Sequence, residues 1–521
     1  MPTEIASHVA HTRVRTTDYA LPRLDPFDVF LSLRNYFGPE CVYLLESLSG
    51  PARDSLHSFI GFDPLVTVKV HDRLVQVTGN PGLRTRILDK AARDRTVIVT
   101  SESVSLVNRQ GLWDFLRSVQ SGFEIEQPSR RESNGLSFGF FGYFGYDTAW
   151  AIEDLPRRIP SDRVNWDVSL TIYRGLIRAD LREGGECTLI LHASDSFPSG
   201  PPVEELKDLL LSEPASRFTL AAETTAPPVP GPLRITDSIE APAYMQNVEK
   251  ALQYIRIGDI YQVQLGHELT ITSTAHPFDV YRRLRVRNPS PYMFLAPFGD
   301  LTVVGASPEL FLSVLDGRIE MRPIAGTTRR SPDPVEDAAL TAALLADEKE
   351  MAEHIMLVDL CRNDIGRVCR PRTLHVDELA IVESYSHVHH LVSNVSGTLR
   401  DDYDVYAAMA ATFPAGTMTG APKIRAMEII EELETSRRGV YAGAIGIIGF
   451  DNSALTALCI RTAMHYRDRF FVRASAGVVA DSVPENEWRE TLRKMASLHW
   501  AITGEDVRSE VSLGATLGTA Q

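Results

Sequence analysis

One stretch, Phe413–Met427, constrains the fold more than any other, because its first ten residues hold two prolines, two glycines and two threonines. From Pro422 an apolar stripe repeats at helical spacing, and a proline at the first helical position loses no hydrogen bond. The stripe comprises Ile424, Met427, Ile430 and Leu433. Free N–H groups at a helix start favour an anion, and the further donors are Thr417, Thr419, Lys423 and Arg425. The alternative is an ordinary turn and helix cap.

Composition limits the class of protein. The 521 residues carry a formal net charge of −15, with 44% hydrophobic and 23% charged residues, which suits two or more cores or one large composite core. The acidic balance disfavours nucleic acid as a partner, since phosphate contacts need a basic face. Five scattered cysteines without a Cys-x-x-Cys pair indicate a reducing compartment. With no signal-peptide pattern and no apolar run long enough to span a bilayer, we expect a cytoplasmic protein without membrane association.

Proline density divides the chain. Eight prolines lie between residues 197 and 232, which predicts a surface connection around one short helix, Val203–Leu211. We expect a flexible arm at 1–24, a mainly stranded N-terminal region at 25–196, the connection at 197–232, a second region at 233–504 and a mobile tail at 505–521.

Local patterns also predict particular elements. Pro64 should separate two strands, because proline cannot donate to a sheet ladder. Farther along, we expect one helix over Pro334–Arg362 and one strand over Ala454–His465.

Two late segments carry paired acids at helical spacing. In the first, the apolar face is Met351, Ile355 and Val358, and the face roughly 120° around carries Glu350, Glu353, His354 and Leu357. In the second, the apolar face is Trp488, Leu492 and Met495, and Glu487, Glu490 and Lys494 lie roughly 120° away. Carboxylates on a helix are usually just solvated. Two matched pairs instead predict a Mg²⁺ site, since this ion takes few oxygen ligands beside an anionic substrate.

Three histidines, His387, His389 and His390, precede a strand pattern. A zinc site would need partners at tetrahedral spacing, and no cysteine lies near in sequence. We expect one histidine to act as an acid or base and the others to be structural.

Several separated motifs together resemble the chorismate-utilising enzymes, most closely anthranilate synthase component I. In the second region they are Pro323–Thr327, Glu353–Leu360, Arg362–Arg367, Phe413–Met427, Ile460–Thr462 and Asp481–Glu485. In the first region they are Leu44–Ser47, Ser58–Pro64 and Gly142–Asp147. The match is dense over about residues 240 to 502 and thinner before. The resemblance implies an α/β fold (α+β) of two packed antiparallel sheets with helices outside and the site between them.

The resemblance also implies roles. Chorismate would be the substrate and Mg²⁺ the cofactor, held by Glu353 and Glu490 with Glu350 and Glu487 nearby. Glu309 would protonate the departing C4 hydroxyl, and His390 would handle the C2 proton during pyruvate loss. The other catalytic positions are Thr417 and Gln262. The substrate-binding positions are Ala325, Gly326, Thr327, Gly416, Tyr441, Arg461, Ala476, Gly477 and Lys494. Arg461 and Tyr441 would bind the carboxylate of the pyruvyl ether, and Lys494 would help Mg²⁺ to bind the ring carboxylate.

Two positions discriminate among the implied activities. Relatives that add water place a lysine base where this chain has Gln262, which cannot deprotonate water, so ammonia is the expected nucleophile. Relatives that aminate at the para position place a lysine nucleophile where this chain has Ala325. The remaining reaction is amination at C2, followed by pyruvate loss to give anthranilate.

Departures from the family pattern leave an alternative open. Ser475 stands where glycine is common, Ala442 replaces the first glycine of Tyr-Gly-Gly, and Leu455 replaces an acidic residue. An enzyme with these residues could stop at the aminated intermediate, aminodeoxyisochorismate. A non-catalytic homologue is the other alternative, against which the retained set of charged site residues weighs.

The resemblance finally implies a partner and a regulator. The chain has no glutaminase nucleophile motif, so ammonia would come from a separate glutamine amidotransferase subunit, component II. Feedback-inhibiting tryptophan would bind at Glu46, Ser47, Pro291, Tyr292 and Met293. The alternative for these stretches is a strand end and a proline turn.

Overall fold

The computed structural model describes residues 11–50, 56–126, 136, 138–160, 166–212, 229, 231–385 and 388–507. The helices are α1 Pro26–Phe37, α2 Pro81–Arg93, α3 Leu112–Ser121, α4 Val203–Leu211, α5 Ala241–Arg256, α6 Pro277–Arg287, α7 Pro334–Ala346, α8 Glu348–Gly366, α9 Val405–Thr412, α10 Lys423–Leu433 and α11 Pro484–Thr503. No helix in these ranges is long and apolar enough to cross a membrane.

The strands alternate with these helices along the chain. They are β1 Thr12–Leu21, β2 Val42–Glu46, β3 His57–His71, β4 Leu74–Gly79, β5 Val97–Val99, β6 Val104–Leu106, β7 Phe123–Glu126, β8 Gly139–Phe144, β9 Val168–Asp180, β10 Cys187–Ala193, β11 Arg234–Asp237, β12 Gln262–Thr272, β13 Tyr292–Phe298, β14 Leu301–Ser307, β15 Leu310–Leu315, β16 Arg318–Met321, β17 Ile324–Arg329, β18 His375–Ser384, β19 Val388–Thr398, β20 Gly420–Ala421, β21 Ala444–Gly449, β22 Ala454–Leu458, β23 Thr462–Tyr466 and β24 Arg469–Val478.

Three hydrophobic cores show how the strands are layered. One core is built from strand and connecting residues, with Tyr43, Phe141, Phe294 and Met464 among its members. A second packs α2, α3, α8 and α9 onto one set of strands, and a third packs α1, α5, α6 and α11 onto the other. Because helices cover two outer faces and strands fill the space between them, the expected architecture of packed antiparallel strands with outer helices is confirmed.

The layers are continuous with each other. β3 contributes Ile60 to one helix-covered core and Val68 to the other, so this long strand belongs to both layers. All described strands join one hydrogen-bonded network, in which every ladder is antiparallel except that between β1 and β7. Ladders β2–β13 and β8–β21 connect the N-terminal region to the second region.

The expectation of a flexible arm over 1–24 is wrong for part of that segment. Thr12–Leu21 forms β1, which pairs with β10 along seven residues from Arg15 onward. Inward residues such as Val14 are fully buried, and burial of this kind fixes the strand. Residues 1–10 and, in the expected tail, 508–521 lie outside the described residues.

Pro64 does not separate two strands. It lies inside the continuous strand β3, at a register shift opposite β9, and the preceding Asp63 has a φ of 59°. A bulge accommodates a proline because the ladder is interrupted there.

Two other expected elements are divided. The helix expected over Pro334–Arg362 breaks at Asp347, whose carboxylate accepts from the backbone N–H groups of Lys349 and Glu350 and so caps α8. The strand expected over Ala454–His465 breaks between β22 and β23, where Arg461 has a φ of 51°.

The helix α10 also begins differently from the expectation. Pro422 is its N-cap in extended conformation, and α10 starts at Lys423. Met427, Ile430 and Leu433 are buried as expected, but Ile424 is 39% exposed. The first turn of α10 therefore faces outward, and the apolar stripe begins one turn later.

Candidate active site

The four acids of the two helical pairs lie within electrostatic reach of one another. Burial raises the pKa of Glu353 to about 7, and the carboxylates of Glu350, Glu490 and Glu487 act in the same direction, against Lys349. Burial also raises the pKa values of Glu350 and Glu487, and Glu490 adds to both shifts. Helices α8 and α11 thus present carboxylates to a common space, where they repel each other.

The buried face of α8, which sets where its acids point, differs from the face that the sequence predicted. Its buried residues are His354, Leu357, Val358, Cys361, Asp364 and Ile365, whereas Ile355 is 36% exposed. The expected apolar face of Met351, Ile355 and Val358 is therefore confirmed only at Val358, because the helix packs onto β17 and β19 through a face rotated toward His354 and Leu357. On α11 the expected face is confirmed, since Trp488, Leu492 and Met495 are buried.

The chemistry of these acids fits Mg²⁺ with few protein ligands. Among the described residues, no group of three or more His, Cys, Asp or Glu side chains is arranged as a metal site. Mg²⁺ is commonly held by one or two carboxylates, with water and substrate oxygens completing its shell. Three of the four carboxylates have raised pKa values, and Lys494 lowers the pKa of the fourth, Glu490. This crowding suits such an ion, since a divalent cation would relieve the repulsion. The Mg²⁺ site remains a prediction.

A histidine that the sequence analysis did not single out contacts the buried face of α11 and fixes the orientation of this helix about its own axis. His267 on β12 is fully buried, with Nδ1 2.9 Å from Asp237 Oδ1 and Nε2 2.7 Å from Thr491 Oγ1. Its ring stacks on Trp488 at 4.3 Å between centroids. These contacts hold one face of α11 against the sheet, so that Glu487, Glu490 and Lys494 lie on the other.

Glu309 has the properties of a neutral acid. It is 6% exposed, in the connection between β14 and β15, and burial raises its pKa to about 8. Thr417, the Ile324 backbone and Lys494 oppose that shift only in part. Glu309 is therefore protonated at neutral pH and able to give a proton. The buried Thr417 hydroxyl lies beside Glu309 and stabilises its carboxylate form.

His390 lies on β19 beside the bulge of β17. Its Nδ1 is 2.8 Å from Thr327 Oγ1, and burial lowers its pKa to about 4, so the ring is neutral near pH 7. The bulge falls between Ala325 and Thr327, where Gly326 has a φ of 81°. A Cβ on Gly326 would lie 2.8 Å from Leu391 and 3.3 Å from Glu350 Oε2. The glycine thereby lets β17 approach the acids of α8.

The neighbouring histidines differ. His389 contacts Asp337 through Nε2 at 2.9 Å and Ser384 through Nδ1 at 2.9 Å, which is a structural role. His387 lies outside the described residues. The expectation that one histidine of the three faces the site is consistent with this arrangement.

A chain of contacts joins the expected anion-binding residues. Lys494 donates to the Ser475 carbonyl at 2.9 Å and pairs with Glu490 at 2.6 Å. Arg461 is half-buried, burial lowers its pKa, and its Nη1 donates to the Lys494 carbonyl at 3.2 Å. The Tyr441 hydroxyl lies 2.6 Å from Ser475 Oγ. Three residues expected to bind substrate carboxylates are thus adjacent, and Ser475 bonds to two of them.

Gln262 and Gln264 face the backbone of Gly477, beside Ala476 on β24. A Cβ on Gly477 would lie 2.7 Å from Gln262 Nε2 and 2.9 Å from Gln264 Nε2. Gln262 is 4% exposed, and its Oε1 is buried without a hydrogen-bond partner in the described residues. An unpartnered carbonyl oxygen at this place can accept a hydrogen bond from a small N–H donor.

The turn Gly416–Met418 packs directly on α8. A Cβ on Gly416 would meet Leu360 at 2.9 Å, so glycine permits the close approach. The expected donors beyond the turn are engaged elsewhere: Lys423 pairs with Asp364 at 2.8 Å. Arg425 pairs with Asp259 and Glu428. The expectation that these two cations serve an anion at the helix start is wrong, because Asp364 neutralises Lys423, and Asp259 and the neighbouring Glu428 of α10 neutralise Arg425.

The five residues expected to bind free tryptophan line a cavity of about 300 Å³. The four acids of α8 and α11 are not among its lining residues. Glu46 accepts two hydrogen bonds from Arg285 and one from Tyr281, and Ser47 donates to the Pro291 carbonyl at 2.5 Å. Leu455 lines this cavity as well. Its departure from the family pattern therefore bears on the cavity and not on the residues around Glu309.

Comparison with known proteins decides the family. The model of the chorismate binding enzymes matches residues 84–499. This chain belongs to the chorismate binding enzyme family. It is 47% identical over 500 residues to the 2-amino-4-deoxychorismate synthase of Streptomyces globisporus, covering 96% of this chain and 98% of that protein.

Other relatives of this chorismate binding enzyme are named anthranilate synthase. This chain is 37% identical over 469 residues to anthranilate synthase component 1 of Acetivibrio thermocellus, covering 89% of this chain and 90% of that protein. The solved structure of anthranilate synthase component I from Streptococcus pneumoniae matches with a TM-score of 0.67 at 33% identity, over 85% of this chain and 92% of that one. The family expected from the motifs is confirmed, and two of its activities remain candidates.

Proposed function

We propose that this enzyme aminates chorismate at C2 with ammonia and releases 2-amino-4-deoxychorismate before pyruvate is lost. The observation that carries the proposal is the 47% identity, over nearly the full length of both chains, to a 2-amino-4-deoxychorismate synthase. 2-Amino-4-deoxychorismate and aminodeoxyisochorismate are two names for the same aminated intermediate, the first based on chorismate and the second on isochorismate. The proposal thus favours the alternative over the expected anthranilate synthase.

The chain's own groups can supply the acid chemistry. In the proposed step ammonia forms a bond to C2, the ring double bonds shift, and the C4–O bond breaks. Glu309, protonated because burial raises its pKa to about 8, gives its proton to the departing hydroxyl, which leaves as water. A proton of the new ammonium group restores Glu309, so the reaction is balanced as chorismate plus ammonia giving product plus water.

Charged and polar groups would orient the two carboxylates of chorismate. Arg461 and Lys494 are adjacent cations, joined through the Lys494 carbonyl. Glu353 and Glu490, with Glu350 and Glu487, would hold Mg²⁺, which when bound would neutralise the ring carboxylate. Gln262 Oε1 would accept a hydrogen bond from ammonia and cannot deprotonate water.

The Tyr441–Ser475 contact supports release of the intermediate. Loss of pyruvate requires a proton to leave C2 and the ether bond to the pyruvyl group to break. Tyr441 was expected to bind the pyruvyl carboxylate, but its hydroxyl is bonded to Ser475 Oγ. A tyrosine held in this way orients the ether less effectively for cleavage.

Anthranilate synthesis is the second candidate function. His390 keeps its contact with Thr327 and, with a pKa of about 4, is neutral and able to accept a proton from C2. The relatives named anthranilate synthase cover most of this chain.

Product analysis separates the candidates. Purified enzyme is incubated with chorismate, ammonium chloride and Mg²⁺, and products are separated by liquid chromatography with mass detection while pyruvate is measured with lactate dehydrogenase. We expect a product with the mass of chorismate plus ammonia minus water, and little pyruvate. Anthranilate with an equal amount of pyruvate would contradict the proposal and establish the second candidate, whereas isochorismate would contradict both.

We further propose a separate amidotransferase subunit as the ammonia source, in the cytoplasm. All five cysteines are free thiols, and Cys361, the one nearest the acids in sequence, is buried with its pKa raised by burial, which is unsuited to glutamine hydrolysis. Turnover should therefore require ammonium salt. Substantial turnover on glutamine with this polypeptide alone would contradict the partner.

A further inference from the structure

A buried ionic cluster of Glu434, Arg438 and Arg473 lies behind the candidate site. Glu434 accepts from Nε and Nη2 of Arg438 at 3.0 and 2.8 Å, and from Nη2 of Arg473 at 2.6 Å. Burial alone would raise the pKa of Glu434, but the two guanidinium groups lower it below its ordinary value, so it is ionised. The side chains of both arginines are 1% exposed. The two therefore share one carboxylate in the same environment.

The two arginines differ in what else they hold. Arg438 donates through Nη1 to the Met418 carbonyl at 2.7 Å and through Nη2 to the Gln264 carbonyl at 2.8 Å. Arg473 donates instead to Ser436 Oγ at 2.8 Å and to the Arg437 carbonyl at 3.4 Å, both in the connection after α10. Among the described residues, the side chain of Arg438, unlike that of Arg473, donates hydrogen bonds to the turn that carries Thr417 and to the strand that carries Gln262.

Those two carbonyls belong to two neighbouring segments that each carry a candidate site residue. Met418 ends the turn that carries Thr417, which lies beside Glu309. Gln264 follows Gln262 by two residues on β12, and both amides face Gly477. A backbone hydrogen bond from Gln264 to the Thr419 carbonyl at 2.9 Å joins the two segments, and β12 pairs with β20 next to it.

We propose that Arg438 is a positioning residue that sets the spacing between Thr417 and Gln262, and hence between the proton donor and the ammonia-accepting amide. Its guanidinium is a rigid planar fork whose donors are fixed relative to each other, so one side chain holds both carbonyls at a defined separation. The Tyr146 ring lies 4.6 Å below the guanidinium and fixes its plane. This inference rests on the proposed use of ammonia at Gln262.

Arg438→Lys and Arg473→Lys form a matched pair for testing it. Lysine keeps the charge beside Glu434 but cannot hold two separated carbonyls. We expect Arg438→Lys to raise the KM for ammonium about tenfold or more and to lower kcat, since small misplacements in a site cost up to about a hundredfold. Arg473→Lys should lose comparable thermal stability while its KM values stay near those of wild type. Equal kinetic constants in the two variants, or an unchanged KM for ammonium in Arg438→Lys, would overturn the proposal.

Two further variants keep the test possible if Arg438→Lys does not fold. Arg438→Gln leaves Glu434 and Arg473 as a charge-balanced pair, and the same rise in KM is expected. Should neither Arg438 variant be folded at 25 °C, Tyr146→Leu removes only the ring beneath the guanidinium, and an unchanged KM for ammonium there would also overturn the inference.

The kinetic measurement does not depend on which product the enzyme releases. Kinetics are followed as consumption of chorismate at varied ammonium concentration, which does not depend on whether pyruvate is released. If wild-type enzyme proved to make anthranilate, the proposed function would fail while the KM comparison remained decisive for Arg438.

Discussion

The hydroxyl groups of Tyr441 and Ser475 lie 2.6 Å apart, and the Ser475 carbonyl accepts a hydrogen bond from Lys494 at 2.9 Å. Ser475 thus connects a residue expected to bind the pyruvyl carboxylate with one expected to bind the ring carboxylate. Both contacts come from β24, where Ser475 is paired with Gly266 of β12. The Tyr441 hydroxyl would have to leave this contact to bind a substrate group.

Ser475→Gly should shift the product toward anthranilate. Removing the hydroxyl releases Tyr441 to bind the pyruvyl carboxylate, and we expect the ratio of pyruvate to aminated intermediate to rise about tenfold, which corresponds to about 1.4 kcal/mol. Ser475→Ala separates the loss of the hydrogen bond from the loss of the side chain, because it removes the hydroxyl and keeps a methyl group. A ratio unchanged in both variants would show that the contact does not govern release.

Alkaline pH should remove activity through Glu309. Its pKa is raised to about 8, so the acid form is present at neutral pH and is lost as the pH rises through about 8. A pH profile of kcat should fall on the alkaline side, and Glu309→Gln should lower kcat by about a hundredfold or more.

Stability provides an independent check on Glu309. Because the folded pKa lies above the unfolded value, ionisation destabilises the folded protein progressively as pH rises from about 4.5 through about 8. Glu309→Gln cannot ionise and should gain Tm relative to wild type at pH 9 but not at pH 5. An equal difference at both pH values would contradict the raised pKa.

Glu353→Gln and Glu490→Gln should each abolish turnover and weaken Mg²⁺ binding, because each removes a charge from the space between α8 and α11. Mg²⁺ bound to the folded enzyme raises Tm by mass action, so the Mg²⁺-dependent rise should disappear in both variants. The exposed Glu348 on the same helix is the control, and Glu348→Gln should behave as wild type. Full activity of either site variant at saturating Mg²⁺ would exclude that residue as a ligand.

Gly477→Ala should impair the use of ammonia. The added methyl would lie within 3 Å of the amide nitrogens of Gln262 and Gln264, at 2.7 and 2.9 Å, and must displace both side chains. We expect the KM for ammonium to rise about tenfold or more, with a smaller change in the KM for chorismate. Gly366→Ala, at the end of α8 with nothing within 4 Å of the added methyl, is the control.

Tryptophan binding stays a prediction for the cavity lined by Glu46, Ser47 and Met293. A cavity of about 300 Å³ has room for an indole ring. Isothermal titration should detect tryptophan binding to wild type and none to Ser47→Phe, whose side chain would fill the pocket. Binding that is equal in both proteins would place the ligand elsewhere.

The sequence predicted the family, which the comparisons confirm. The resemblance rests on short segments, so it could also name Glu309, His390 and the acids at positions 350, 353, 487 and 490 as site residues, and their roles stay predictions. Helical spacing placed the acids of α11 correctly, since that helix has one continuous apolar face.

Tertiary structure decided what depends on partners distant in the chain. Helix α8 carries two apolar faces, so its spacing could not show which one packs on the sheet. Pro64 sits at a bulge because β9 tolerates a register shift there. Lys423 is neutralised by Asp364 on another helix. The roles of His267, Ser475 and Arg438 arise from contacts with Thr491, Tyr441 and Met418, and only the folded chain brings these pairs together, because local sequence patterns specify backbone conformation and burial but not which remote side chains meet.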